Sequence, residues 1–173
     1  HPEAGRLTHT TVSYRLSGRQ PDAVRPAPTL GQHNDEVLGG LESKAYAPVR
    51  TSPSGDTGEP TEQHLPLEGI RITDLSWIIA GPACTRHLAA MGAEVIKIET
   101  RKRPDPGRQN PLFQHLNQSK RSCNIDISQP QGLEMAKMLI AMSNVVIDNF
   151  ATGVMERLGL GYDAVREVKP DII

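Results

Sequence analysis

Residues 67–99 read LEGIRITDLSWIIAGPACTRHLAAMGAEVIKIE, and their succession of strand, turn, helix and strand decides the fold class. Ile70 and Ile72 alternate with Arg71 and Thr73, the two-residue period of a strand that ends at Asp74 and Leu75. Ala80-Gly81-Pro82 then leads into a helix. Gly81 tolerates close backbone approach, and Pro82 suits the first helical position, where a missing N–H forfeits no hydrogen bond. Cys84, Leu88 and Met91 recur at helical spacing, and Gly92 stands where a left-handed cap would end the helix. Val95, Ile96 and Ile98 make a second apolar run of strand length. Such a unit crosses over in the right-handed sense and pairs its strands in parallel. The expected fold is therefore α/β, a Rossmann-like parallel sheet flanked by helices.

Ligands of such sheets bind beyond the carboxyl ends of the strands. That rule puts the turn at 76–82 at the mouth of a site, where the first N–H groups of the following helix favour phosphate or a polar amide. A connecting loop without a ligand is the structural alternative. No GxGxxG occurs, which weighs against a dinucleotide dehydrogenase.

The segment after Glu99, TRKRPDPGR at 100–108, is a basic loop at a strand's carboxyl end. Its Arg101, Lys102, Arg103 and Arg108 could meet phosphates through charge-assisted hydrogen bonds, or simply be solvated. Without interleaved aromatics, nucleic acid is not indicated. A strand is expected at 122–127, with Cys123, Ile125 and Ile127 on one face. Lys120 and Arg121 precede it, either to fix phosphates or to pair with Asp126 or Glu99.

Ser128 as cap and Pro130 early in the helix open the next element, whose buried face is Leu133, Ala136, Leu139 and Ile140. Met135, Met138 and Met142 read as adaptable packing. Val145-Val146-Ile147 is a short apolar strand of the kind covered on both faces. At its end Asn149 offers an amide donor and acceptor and Phe150 a flat apolar face, with a turn capped by Asn149 as the alternative. Gly159 and Gly161 read as a helix stop.

Of 173 residues 37% are hydrophobic and 23% charged, and the formal net charge of −1 gives no electrostatic case for nucleic acid or membrane. With no apolar run of bilayer length and no signal-peptide pattern, a cytoplasmic protein is expected. Two cysteines make no disulfide framework. Cys84, in a helix's first turn, is weighed as a nucleophile, but packing accounts for it as well. The six histidines form no metal-ligand spacing, so no metal is expected, and His33 reads as a cap or surface residue. Asn117-Gln118-Ser119 matches a glycosylation acceptor, accidental in a cytoplasmic chain.

Toward the start, 10–16 (TTVSYRL) is strand-like and 35–41 helical. Between 43 and 64 the Pro, Gly, Ser, Thr and Glu content is that of a flexible linker.

AGP opening a helix, MGAEVIKIE, Asn117 with Lys120-Arg121-Ser122, Ile125-Asp126, VVIDNF at 145–150 and GVMERLGLGY at 153–162 follow one another in an order that closely resembles the family III CoA-transferases, the CaiB/BaiF group. The resemblance spans 65–173. It implies coenzyme A, as the acyl-CoA substrate, and transfer of CoA between carboxylic acids through an acyl-aspartyl anhydride. The same resemblance places CoA contacts at Ile78, Ile79, Ala80, Arg101, Ile125, Asp126, Asn149, Phe150 and Arg157. The family's basic residue directly after the strand's Glu is Thr100 here, so Arg101 takes that place. The segment from Ile125 and Asp126 to Ser128 would border the adenine, and Arg157 would meet phosphate, with Glu156 or Asp163 as rival partners.

The family's nucleophilic aspartate is expected outside this chain, so no catalytic residue is nominated among Asp74, Asp126, Asp148 and Asp171, and the chain by itself is expected to be inactive. HPEAG, YRLSG and RPAPTLGQHNDEVL resemble the family's C-terminal end. The implied organisation is 1–42 as the tail of a preceding unit, 43–64 as linker and 65–173 as the truncated N-terminal part of the next. An interlocked homodimer, or a tandem pair within one chain, follows from the resemblance. An acyl-CoA racemase of the same superfamily and a noncatalytic CoA-binding or interaction module remain the alternatives.

Overall fold

Four short strands coincide with the apolar runs: β1 (Arg71–Asp74), β2 (Glu94–Glu99), β3 (Arg121–Asn124) and β4 (Val145–Ile147). In the computed structural model, which describes residues 1, 5, 6, 8, 14, 25–42 and 65–173, they form one parallel sheet in the order β3-β2-β1-β4. Ile72 lies opposite Val95 on one side and Val145 on the other. Six α-helices accompany the sheet among the described residues, α1 (Asn34–Glu42), α2 (Ala80–Ala90), α3 (Leu112–Leu116), α4 (Pro130–Ala141), α5 (Val154–Arg157) and α6 (Tyr162–Val168), with one 3-10 turn at Pro106–Gln109. None is long and apolar enough to cross a membrane. The expected strand at 10–16 and linker at 43–64 lie outside the described residues.

Side-chain alternation along β2 splits the interior in two. Ile96 and Ile98 join Cys123 and Ile125 in a cluster closed by Val37 and Leu41 of α1 and by Ala136, Leu139 and Ile140 of α4. Val95 and Ile72 pack with Ala89 near the end of α2 and with Ala93 just before β2. On that second face the apolar layer is interrupted, because Asp74, Lys97 and Glu99 are buried there as well.

Several expectations need correction. The helix after the turn starts at Ala80, two residues before Pro82. Its buried residues are Gly81, Pro82, Thr85, Arg86 and Ala89, while Cys84 is exposed. Small residues and a hydroxyl face inward there because α2 lies over a charged layer rather than an oily one. The strand expected at 122–127 runs from Arg121 to Asn124. Ser128 does not cap α4: Gln129 holds that position without a side-chain bond, and the Ser128 hydroxyl donates to Asp126 instead. β4 is half-buried rather than covered on both faces, since it forms an edge of the sheet. Its backbone pairs outward only with Ile173 among the described residues.

The opposite edge, β3, is covered by segment 25–42. His33 Nδ1 accepts from the Ser122 N–H at 3.1 Å, Asn34 Oδ1 accepts from the Asn124 N–H at 2.8 Å, and the His33 N–H donates to the Ser122 carbonyl at 3.0 Å. Two side chains and one amide therefore occupy the hydrogen-bonding positions of a neighbouring strand. Arg121 pairs with Glu36 of α1 and with Glu94 of β2, each at 2.9 Å, not with the partners expected of it.

Candidate functional site

Asp74, the last residue of β1, is fully buried. It accepts from the Ser76 N–H (2.9 Å), the Thr85 hydroxyl (2.7 Å) and the Lys120 ammonium (3.0 Å). Lys120 also donates to the Pro82 carbonyl and to Asn117 Oδ1, so the candidate glycosylation asparagine is a buried strut. Burial alone would raise the Asp74 carboxyl; the ammoniums of Lys120 and Lys97 and the two hydroxyls outweigh it and hold the group below its ordinary value. Burial pushes the Lys120 ammonium down to about 8 against the opposing pull of Asp74. Lys97 forms the other half of this layer, paired with Asp105 at 3.0 Å with both side chains wholly buried.

Asp105 connects this layer to the turn. Its carboxylate accepts from the Ile78 N–H at 3.0 and 3.2 Å and from the Gly107 N–H at 2.8 Å, and its own N–H donates to Glu99. Ile78 carries φ +66°, which a β-branched residue adopts only under constraint. The bonds to Asp105 supply that constraint. From the other side, Asn149 Oδ1 accepts from the Trp77 N–H at 2.8 Å while its Nδ2 donates to the Trp77 carbonyl at 2.9 Å. The turn at 76–79 is thus held by two carboxylates, Asp74 at Ser76 and Asp105 at Ile78, and by the Asn149 amide at Trp77.

Beside the turn lies an open cavity of about 500 Å³. Glu99, the last residue of β2, lines it together with Leu75, Ile125 and Phe150, which follow the carboxyl ends of β1, β3 and β4. Its walls are mainly apolar, with Ile98, Ile127, Val154 and Leu158 completing them, and Lys102, Arg103 and Arg157 supply positive charge. Trp77 meets Phe150 edge to face, with ring centroids 5.1 Å apart. Glu99 is neutralised by a two-pronged pair with Arg108, whose guanidinium also lies over the Phe113 ring. The arrangement suits a flat, partly apolar ligand bearing anionic groups.

Of the residues nominated from the sequence, Ile125, Asp126, Phe150 and Arg157 line this cavity. Arg157 has no ion pair with Glu156 or Asp163. Ile78 and Ile79 project from the turn, about half exposed, and Ala80 begins α2; none of the three lines the cavity. Asn149 acts on the turn instead. Arg101 lies outside the lining, exposed, with its N–H bound to Asn124 Oδ1. Cys84 and Cys123 also lie outside it, and burial pushes the Cys123 thiol up to about 12. Trp77, Lys97 and Asp105 were not singled out from the sequence, whereas Lys102 and Arg103, read there as basic-loop residues that could meet phosphates or be solvated, both line the cavity. The legible signal for the buried pair was a lysine inside the apolar run VIKIE, which demands a carboxylate nearby.

The model of CoA-transferase family III matches residues 67–173. Succinyl-CoA:glutarate CoA-transferase of Mus musculus is 35% identical over 129 residues, 68% of this chain and 30% of that protein. Formyl-CoA:oxalate CoA-transferase of Afipia carboxidovorans is 35% identical over 116 residues, 62% of this chain and 27% of that protein. The crystal structure of a CaiB/BaiF family protein from Brucella suis superposes with a TM-score of 0.60 at 32% identity, covering 64% of this chain and 32% of its own. The chain thus spans under a third of the length of these relatives. With more than half of its residues matched by the family model, and with the parallel sheet and strand-end cavity in place, the chain belongs to CoA-transferase family III.

Proposed function

We propose that this chain forms the CoA-binding part of an enzyme that moves CoA between carboxylic acids. The observation that carries the reading is the cavity at the carboxyl ends of the four strands, lined by residues at or just beyond those ends, apolar in its walls and cationic at Lys102, Arg103 and Arg157. The adenine and pantetheine of CoA suit such walls, and its phosphates suit the guanidiniums. Ile125, Asp126 and Phe150 then border the nucleotide, Arg157 meets phosphate, and the Ile78-Ile79-Ala80 turn faces the pantetheine arm.

In the reaction served by this site, an aspartate carboxylate supplied from outside residues 1–173 attacks the thioester carbonyl. CoA thiolate is expelled as the acyl-aspartyl anhydride forms, and its return to the aspartyl carbonyl releases the donor acid and leaves an aspartyl-CoA thioester. The acceptor carboxylate then displaces the thiolate to form a second anhydride, whose acceptor acyl carbon the thiolate attacks to give the new acyl-CoA and restore the aspartate. The donor is an acyl-CoA and the acceptor a carboxylic acid; the protein works in the cytoplasm as an interlocked homodimer or as a tandem pair within one polypeptide, with 1–42 the tail of the preceding unit. Calorimetric titration with CoA tests the reading. Saturable binding that weakens about tenfold or more in Arg157→Ala supports it. Absence of heat from folded protein would overturn it.

A further inference from the structure

Three consecutive cations follow Thr100, and the backbone sends them to three different places. Thr100 and Arg103 form an antiparallel bridge, with the Arg103 N–H donating to the Thr100 carbonyl at 3.2 Å, so the loop doubles back immediately after β2. Arg101, at the outside of this reversal, does not line the cavity. Lys102 lines it but is engaged, with Nζ 2.8 Å from Asp126 Oδ2. Arg103 lines it too, and no carboxylate among the described residues pairs with it. Instead its guanidinium lies 5.2 Å from the centre of the Trp77 ring, the range of a cation–π contact.

An aromatic face fixes a guanidinium without satisfying its N–H donors. Among the described residues Arg103 is therefore oriented and uncommitted, while Trp77 is itself anchored through Asn149 at both backbone groups. From this we infer that Arg103, stacked on Trp77, is the residue of the basic loop that binds a phosphate of the ligand, and that Arg101 has no such part. The inference rests on the CoA reading and assigns its anion contact, among the four basic-loop cations that the sequence offered, to a side chain two positions beyond the one the family resemblance implied. The charge on Arg103 attracts the phosphate, and its stack on Trp77 lowers the ordering cost of meeting it.

Trp77 is the single tryptophan of the chain, so its emission reports directly on this corner. CoA is titrated into wild type, Arg103→Gln and Arg101→Gln at low and high salt, and Trp77 fluorescence gives the affinities. Arg103→Gln is expected to weaken CoA binding about tenfold or more at low salt, with the gap to wild type narrowing as salt screens the contact. Arg101→Gln should stay within about twofold of wild type. Both side chains are exposed, and matching thermal melts would show the variants folded.

An Arg101→Gln loss equal to that of Arg103→Gln overturns the inference. So does an Arg103→Gln loss that is the same at every salt concentration, which would mark a packing role. Either result leaves CoA binding by wild type intact, whereas failure of wild type to bind CoA removes the underlying reading as well.

Discussion

The His33 imidazole accepts the Ser122 backbone N–H at 3.1 Å through Nδ1, and this bond requires that nitrogen to be unprotonated. Burial lowers the His33 pKa, opposed by Glu36 and assisted by Arg121 and Arg25. A histidine with a depressed folded value contributes stability above its ordinary 6.5 and loses it as pH falls through the folded value. Amide exchange at Ser122, corrected for intrinsic chemistry, should be slow at pH 8 and fast once the pH lies well below that ordinary value. In His33→Ala it should be fast at both ends.

Asp74 balances two buried ammoniums. Asp74→Asn keeps the shape but deprives Lys120 of its ion-pair partner and leaves Lys97 with Asp105, at a cost of about 3–5 kcal/mol in urea denaturation. The wild-type carboxylate is held below 3.8, so its contribution is present above that pH and disappears as pH falls through the lowered value. The variant's stability should lack that acid limb.

At Gly81 an added Cβ would lie 2.2 Å from Ser76 Cβ, at the point where α2 meets the turn. Gly81→Ala should destabilise by about 1–3 kcal/mol and weaken CoA binding together. Gly39→Ala, on α1 with nothing within 4 Å of the new atom, should instead be stabilising by about 0.4–1 kcal/mol. Thermal melts of the pair measure the contrast.

Asn149→Ala removes both bonds to the Trp77 backbone, and about 1–2 kcal/mol of stability should go with them. Asn149→Asp retains the acceptor toward the Trp77 N–H but puts an oxygen against the Trp77 carbonyl, so it should fail to restore the turn. The position of the Trp77 emission maximum in each variant, beside its melting curve, checks this.

The parallel unit was legible because Ile72, Val95, Ile96 and Ile98 carry strand periodicity and Gly92, at φ +103°, marks the end of α2. Periodicity assigns faces but not what covers them. Asp74 therefore read as strand-end chemistry and Lys97 drew no reading, although both lie at the centre of a buried ionic layer. Their partners escaped for a geometric reason: Lys120 is 46 residues from Asp74 in sequence, and Asp105 reaches Lys97 only because the basic loop reverses. The same reversal makes Arg103 rather than Arg101 line the cavity. His33 looked like a surface residue because nothing in GQHN announces that it will face the backbone of β3.

Asp105 has one further consequence. It receives Ile78, Gly107 and Lys97 at a single carboxylate and hangs its own amide on Glu99, so the turn and the basic loop cannot shift independently. Both walls of the cavity form one stiff frame. The entropy of arranging them is lost when the chain folds rather than when a ligand arrives, and a ligand entering this cavity meets walls already in register.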